Sequence, residues 1–309
     1  MAAAKKAKSK QRGAKASRSS FRGKTKSTKA STKKVTRTQT KQTKQVTRKQ
    51  APARHMFVQP GQSRVLGEIS IPSGKLAIFD IGLFGYLPRE ALEPAIVTCD
   101  VPSDRVLPVV GAPVGKGRFA DCWDHVAVVI DAAALARSEI ATSKKLGEAA
   151  VDFARLVCID HAALDGWQHE DSLDGKADVV FWGRDDRVLA HTMNAPRTDE
   201  GYGWVDLPID EAEKKSDVIA RKKSENKWLL AADFRPHSHH YYALAAARRS
   251  PDRAGTLDVA GTRMMLLFTS WGDGVFPIYL DLDHDDRPVQ VRIQLATAES
   301  NAAMASVNP

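Results

Sequence analysis

The sequence predicts an α+β fold, in which a predominantly antiparallel β domain with few helices follows a disordered basic tail. Two observations support this prediction. Short apolar runs follow one another through turns of Gly, Pro and Asp, and strands joined by short turns pair antiparallel. All acidic residues lie after the first 54 positions, so the chain is divided by charge. We expect a tail at 1–55 and an acidic globular domain at 56–309, built either as one domain or as two lobes, 56–195 and 196–309.

The basic arm, residues 1–54, contains 19 Lys and Arg residues and no Asp or Glu. The remaining 255 residues hold 27 basic and 37 acidic residues, so the two net charges are +19 and −10. The large apolar residues of the arm, Met1, Phe21, Val35 and Val46, are too few to bury an apolar face. Ordering one residue costs about 1–2 kcal/mol, and like charges repel. We therefore expect the arm to be disordered when free.

Nucleic acid is the partner that this composition predicts, because cations that neutralise a dense row of phosphates release counterions. Phe21 is the one aromatic residue of the arm. Without further rings to stack on bases, the contact should not select a sequence. In composition the arm resembles a histone tail. The candidate phosphate-binding residues are Lys5, Lys6, Lys8, Lys10, Arg12, Lys15, Arg18, Arg22, Lys24, Lys26, Lys29, Lys33, Lys34, Arg37, Lys41, Lys44, Arg48, Lys49 and Arg54.

Other partners remain open at this stage. An acidic protein or an anionic membrane surface would also attract the arm, and a solubilising tail without a fixed partner is the simplest alternative. The sequence does not choose between DNA and RNA. The arm is rich in Lys and lacks an apolar stripe, unlike a transit peptide, and no signal-peptide core follows its first lysines. No apolar run reaches the roughly 18 residues of a membrane span. We expect a cytoplasmic protein, nucleoid-associated in a bacterium.

The cysteines and the short motifs favour a protein without enzymatic activity. Cys99, Cys122 and Cys158 are odd in number and lack CxxC spacing, which is typical of free thiols in a reducing compartment. The chain contains no GxSxG and no HExxH motif. We therefore expect no cofactor.

The first half of the domain predicts mostly strands. Arg64–Ile71 alternates apolar and polar residues, and Pro72–Gly74 forms a turn. The strands predicted after this turn are Lys75–Leu83, Ala95–Cys99, Val106–Val110 and Phe119–Ile130.

The middle of the chain is less regular. Within Ala132–Ala163 some apolar residues are near helical spacing, although Gly147 weakens a helix there. The spaced residues are Leu146, Ala149, Ala150 and Phe153. The other elements predicted here are a strand at Leu156–Ile159, a short helix at Ala162–Trp167, and a hairpin of Asp178–Trp182 and Arg187–His191 around Gly183–Asp186.

The last part of the domain contains the strongest helix signal. Pro208–Asn226 predicts a surface helix, with Asp210 and Glu213 as an acidic form of a capping box. Trp228–Phe234 predicts a strand. A closing meander is predicted from Arg263–Thr269, Val275–Leu282 and Pro288–Leu295.

The last third of the chain also resembles a known family. The residues that show the resemblance are Trp271-Gly272-Asp273-Gly274, Phe276-Pro277-x-Tyr279, Asp281-x-Asp283 and Arg287-Pro288-Val289. They resemble the C-terminal hairpin of an uncharacterised bacterial family, a domain of unknown function. Similar hairpins occur in immunity-type proteins that neutralise bacterial toxins. The resemblance implies a bacterial origin and, as an alternative function, a protein-binding module; it implies no activity.

The most site-like cluster is His237, His239 and His240, with Asp233 as a further candidate ligand. On a strand, His237 and His239 would point the same way, and neutral imidazole is a common metal ligand. Pro236 instead favours a loop, in which polar side chains satisfy backbone groups. We therefore expect His237–His240 to be a polar loop with a structural role. Metal binding or acid–base chemistry at these residues is the alternative hypothesis.

Three other motifs predict no site. In Asp121–His125, a strand would turn Cys122 and His125 to opposite faces, which disfavours a Cys–His dyad. Asp281-x-Asp283-x-Asp285 is not followed by the Gly and Glu that a calcium loop needs. Gly111–Gly117 is one residue short of a phosphate loop. The sequence thus predicts a non-enzymatic nucleic-acid-associated protein, with a protein-binding module and a metal-dependent or hydrolytic enzyme as alternatives.

Overall fold

The computed structural model describes residues 63–85, 87–115 and 119–298. Contacts divide the chain into Met1–Arg54 and His55–Pro309, and every described residue belongs to the second unit. The predicted disorder of the basic arm lies outside the described residues. Within them, no helix combines the length and the apolar character that crossing a bilayer requires.

The described residues form three sheets, in which every strand pair is antiparallel. Sheet A has the order β1 (Arg64–Ser70), β4 (Val106–Pro113), β5 (Trp123–Val129), β15 (Pro288–Gln294), β14 (Gly274–Leu282) and β6 (Thr142–Val151). Sheet B has the order β12 (Ala254–Val259), β13 (Thr262–Phe268), β7 (Arg155–Asp160), β2 (Lys75–Phe79) and β3 (Val97–Asp100). Sheet C has the order β11 (Leu230–Pro236), β8 (Lys176–Gly183), β10 (Gly201–Pro208) and β9 (Arg197–Thr198).

Helices connect and cover these sheets. The α-helices are α1 (Arg89–Leu92), α2 (Ala132–Ala136), α3 (Asp186–Met193), α4 (Ile209–Asn226) and α5 (His239–Arg249). The 3-10 helices are Ile81–Gly85, Glu93–Ala95 and His161–Gly166. The predicted fold class, mostly antiparallel β with few helices, is confirmed for the described residues.

Sheet B is the central layer, because its strands bury side chains on both faces. Leu76 and Ile78 of β2 pack with sheet A in one apolar cluster. Their neighbours Ala77 and Phe79 point the other way, into a second cluster that includes Ala243 of α5. Because successive side chains on a strand alternate between faces, one apolar run can serve both layers. The order of layers is therefore sheet A, sheet B and the helical layer with α5.

Sheet C has an apolar core of its own. Val179 and Phe181 of β8 pack with Leu189 of α3 and with Ala212 and Ile219 of α4. The alternative prediction divided the domain into two lobes, 56–195 and 196–309. Each of the three sheets contains strands from both of these ranges.

One element differs in type from its prediction, and a second was ambiguous in the sequence. The segment around Arg187–His191 is helix α3 and not the second strand of a hairpin. Leu189 and Met193 are four residues apart and face the core of sheet C together, which is helical spacing. The segment around Leu146, which the sequence left ambiguous between a helix and another element, is strand β6, where Ala149 and Val151 alternate into the core and pair with β14. In both segments, packing against neighbours overrides a weak local preference.

Other predictions are right in outline and wrong in detail. Helix α4 spans the predicted residues, but its N-cap is Pro208 and no side chain caps it, so the capping box is wrong. Strands β14 and β15 form the predicted hairpin. Strand β13 is not its third member, because it pairs with β12 and β7 in sheet B. The chain passes from sheet B to sheet A between β13 and β14.

A buried ion pair joins the two strands of this hairpin. Arg292 donates from Nε to Asp281 Oδ2 at 2.8 Å and from Nη2 to Asp281 Oδ1 at 3.0 Å. Gln290 and Ser143 donate to the same carboxylate at 2.8 and 2.6 Å. Burial raises the pKa of Asp281, but the hydrogen bond and charge of Arg292 outweigh it, so the pKa is lowered overall.

We predict that Arg292→Met lowers the free energy of unfolding by about 3–5 kcal/mol, because it leaves the Asp281 carboxylate buried without its cation. Chemical denaturation measures the change. Arg287→Met is the control, since Arg287 is 74% exposed and pairs with Asp285 at the surface; it should cost less than about 0.5 kcal/mol. Equal effects of the two substitutions would contradict this interpretation.

Candidate binding cavity

The segment with three histidines is the start of helix α5. His237 follows strand β11, and Ser238 is the N-cap, whose hydroxyl accepts from the backbone N–H of Tyr241. Because the helix begins at His239, the strand geometry that would align His237 with His239 is wrong here. The three imidazoles have three different surroundings.

His237 lies buried between two carboxylates. Its Nδ1 is 3.1 Å from Asp174 Oδ2, and its Nε2 is 3.1 Å from Asp178 Oδ1. The hydroxyl of Tyr241 donates to Asp178 at 2.8 Å, and its ring stacks on the imidazole at 4.4 Å. Burial lowers the pKa of His237, but its hydrogen bonds to Asp178 and Asp174 outweigh burial and raise the pKa above its ordinary value. The imidazole therefore bridges two carboxylates, which favour its protonated form.

The same histidine belongs to the group of described side chains whose donor atoms could meet on a metal ion. Ligand atoms of Asp178, Asp206 and His237 all lie within 4.8 Å of one another. Both ring nitrogens of His237, however, face carboxylates, and its raised pKa favours a proton on each. A metal ligand must instead be deprotonated. We therefore interpret this group as an ion-paired network. The predicted candidates His239, His240 and Asp233 lie outside it.

His239 fixes a neighbouring loop. Its Nδ1 accepts a hydrogen bond from the backbone N–H of Gln168 at 2.9 Å. Its ring stacks on Trp167, with 5.5 Å between the ring centres. Burial lowers the pKa of His239, which keeps the ring a neutral acceptor. This contact matches the prediction of a polar segment that satisfies backbone groups.

His240 faces a cavity of about 770 Å³. Its ring stacks on His169, with 4.2 Å between the centres, and its Nε2 accepts from Nη1 of Arg155 at 2.6 Å. Burial lowers the pKa of His240 to about 3, and the charges of His169, Arg155 and Arg248 act in the same direction. Burial, followed by the charge of Arg155, lowers the pKa of His169 to about 4. At neutral pH both rings are neutral beside a guanidinium.

The cavity lining also contains carboxylates that are bridged by arginine. Arg235 donates to Glu200 at 2.6 Å and to Asp233 at 2.7 Å, and Arg248 donates to Glu200 at 3.2 Å. Asp233, one of the predicted metal candidates, is thus the partner of an arginine. The nearby Thr198 Oγ1 is buried without a hydrogen-bond partner among the described residues.

The remaining sequence candidates do not form sites. His125 pairs with Asp124 at 2.7 Å, and Cys122 donates to the carbonyl of Ser270, so the two do not form a dyad. Burial raises the pKa of each thiol, to about 11 for Cys99 and about 12 for Cys158. All three cysteines are free, as predicted. The end of the Gly111–Gly117 segment lies outside the described residues.

No family model, no curated protein and no solved structure matches this chain. The resemblance of the C-terminal hairpin to a bacterial family therefore stays a prediction.

Sequence analysis missed most of the residues that surround the histidines. Asp174, Asp178 and Arg155 lie 59 to 85 residues from their histidine partners along the chain. His169 has no motif around it. The one signal in the sequence was the histidine run itself. It indicated the position of the cavity, but the predicted metal-ligand partners of the histidines were wrong.

We predict that His237→Leu lowers the free energy of unfolding by about 3 kcal/mol at pH 6, because it leaves two carboxylates without their cation. The wild-type contribution is complete below the unfolded pKa of about 6.5 and is lost as pH rises through the raised folded pKa. Denaturation at pH 6 and pH 9 should therefore show a smaller difference between wild type and variant at pH 9. His284→Leu, at an exposed hairpin position, is the control. A pH-independent difference would contradict the charged state of His237.

Proposed function

We propose that this is a non-enzymatic nucleic-acid-associated protein, whose basic arm contacts the phosphate backbone without sequence selectivity. The supporting observation is the division of charge, +19 in residues 1–54 and −10 in the rest of the chain. A globular domain with a net negative charge repels a polyanion. Contact with nucleic acid is therefore left to the arm.

The chemistry of this contact is electrostatic. Each phosphate that a Lys or Arg neutralises releases counterions, and the logarithm of affinity falls by about 0.9 per phosphate for each decade of salt on duplex DNA. Gln, Ser and Thr residues between the lysines add hydrogen-bond donors for phosphate oxygens. Neither interaction reads a base or a 2′-hydroxyl, so DNA and RNA are both partners. A cytoplasmic or nucleoid location follows from such partners.

We predict that Lys33→Gln, Lys34→Gln and Lys41→Gln, combined in the full chain, reduce the salt slope of binding to random duplex DNA by up to about 0.9 per lysine. Fluorescence anisotropy at four or more salt concentrations measures the slope. The matched control removes three exposed lysines from the described domain, with Lys214→Gln, Lys223→Gln and Lys227→Gln. Because these side chains lie on or beside helix α4, the control should keep the wild-type slope.

Two results would overturn the proposal. The first is a wild-type chain that binds neither DNA nor RNA in dilute buffer. The second is an equal loss of slope in the arm variant and in the control, which would place the contact outside the arm.

A further inference from the structure

We propose that the cavity beside helix α5 binds a small phosphomonoester that carries hydroxyl groups, such as a sugar phosphate, with its phosphate against Arg155, His169 and His240. This site is separate from the basic arm and would select a small molecule. Three features of the cavity support it: its size, the cluster of Arg155, His169 and His240 in its lining, and the carboxylates of Glu200 and Asp233 in the same lining.

The size of the cavity fits a small organic ligand. Its volume is about 770 Å³, and small-molecule sites measure roughly 300–1,000 Å³. Apolar side chains such as Phe153, Val180 and Leu244 form part of its lining between the charged groups. Apolar walls with a few convergent polar groups are typical of ligand sites in proteins.

The phosphate end is formed by one guanidinium and two imidazoles. Arg155 is on β7 of sheet B, His240 is on α5, and His169 is on the loop after the 3-10 helix His161–Gly166. Their mutual contacts place three nitrogen-bearing side chains on one wall. Arg155 donates from Nε to the carbonyl of Phe153 at 3.0 Å and from Nη1 to His240, so the donors that it would offer a phosphate are the remaining N–H groups of its two Nη atoms. Each neutral ring keeps one N–H donor, because Nδ1 of His169 accepts from Nε1 of Trp167 and Nε2 of His240 accepts from Arg155.

The electrostatic field at this wall favours an anion. After burial, the charge of Arg155 lowers the pKa of both imidazoles, whereas the charge of Arg248 lowers the pKa of His240 alone. Two carboxylates lie nearby. Asp80 accepts hydrogen bonds from the backbone N–H groups of three residues, and the charge of Arg155 also favours its ionised form. Glu170 adjoins His169 and is exposed.

The carboxylates of the lining suit hydroxyl groups. Glu200 and Asp233 already accept from Arg235, and carboxylates with further lone pairs also accept from sugar hydroxyls. Thr198 lines the same cavity, and its buried hydroxyl has no partner among the described residues. A ligand hydroxyl at this position would supply the missing hydrogen bond.

Phosphate binding should be coupled to proton uptake. A dianion beside His169 and His240 favours their charged forms and raises both pKa values from about 4 and about 3. The other groups around the pair are Arg155 and Arg248, which oppose protonation, and Glu170, which favours it. Affinity should therefore increase as pH falls from 8 to 7, a range in which the monoester itself stays mainly a dianion because its second pKa is about 6.

The test is isothermal titration calorimetry of the full chain with ribose 5-phosphate, inorganic phosphate and ribose. Ribose 5-phosphate should bind most tightly and ribose most weakly, because the phosphate supplies the main contact. Arg155→Gln should weaken ribose 5-phosphate about 10- to 100-fold, the effect of losing a charged hydrogen-bond donor. Arg155→Lys keeps the charge and should lose less. Titration in two buffers of different ionisation enthalpy should show net proton uptake, which His240→Gln should reduce.

Two controls separate this site from the arm and from general surface charge. Arg287→Gln removes one exposed arginine of the β14–β15 hairpin and should leave binding unchanged. The triple arm variant, with Lys33, Lys34 and Lys41 changed to Gln, should also leave it unchanged. Binding of ribose 5-phosphate in the cavity does not depend on whether the arm binds DNA. The proposal for the cavity and the proposal for the arm can therefore be refuted independently.

Four results would overturn the proposal. They are the absence of ribose 5-phosphate binding at millimolar concentration, equal binding by wild type and His240→Gln with equal proton uptake, equal binding of ribose and ribose 5-phosphate, and loss of binding in the arm variant. Circular dichroism first establishes that each variant is folded. If Arg155→Gln does not fold, Arg155→Lys and His240→Gln decide the outcome.

Discussion

The fold depends on the burial of sheet B on both faces. Alternating side chains of β2, β7 and β13 serve sheet A on one side and helix α5 on the other. Helix α5 packs closely on sheet B because Gly255 of β12 has no side chain. A Cβ at Gly255 would be 2.6 Å from the backbone of Ala246 in α5. Small residues on the helix, Ala243 and Ala247, complete the contact. The position of α5, and with it the wall of the cavity, follows from this close packing.

Charged groups near the start of α5 form two kinds of arrangement. Around His237, cation and anions neutralise each other in a network that is largely closed to solvent. Around His240, two neutral rings lie beside Arg155 in an open cavity. The first arrangement stabilises the junction of sheet C with α5. The second forms the wall to which we propose that a phosphate binds, with proton uptake by His169 and His240. Closely spaced histidines thus have opposite protonation states because burial and neighbouring charges differ.

The proposed functions use phosphate in two ways. In the arm, many cations on a polymer without an apolar face attract any phosphate backbone, and selectivity is absent. In the cavity, a few donors held by sheet and helix would distinguish one small phosphate ester by shape and hydroxyl pattern. The two interactions have different structural origins. The first depends on composition and the second on tertiary packing.

Sequence by itself determined the charge division, the antiparallel character, helix α4 and the β14–β15 hairpin, because periodicity and turn residues act over short distances. It misassigned α3 and left β6 ambiguous, because their apolar residues fit either period until their neighbours are known. It marked the histidine segment but not Asp174, Asp178, Arg155 or His169. A residue pattern records which face of an element is buried, but it does not record which distant element covers that face. Only the packing of α5 against sheet B, and the contact of α5 with sheet C, decided which histidine lies between carboxylates, which lies beside a guanidinium and where a cavity remained.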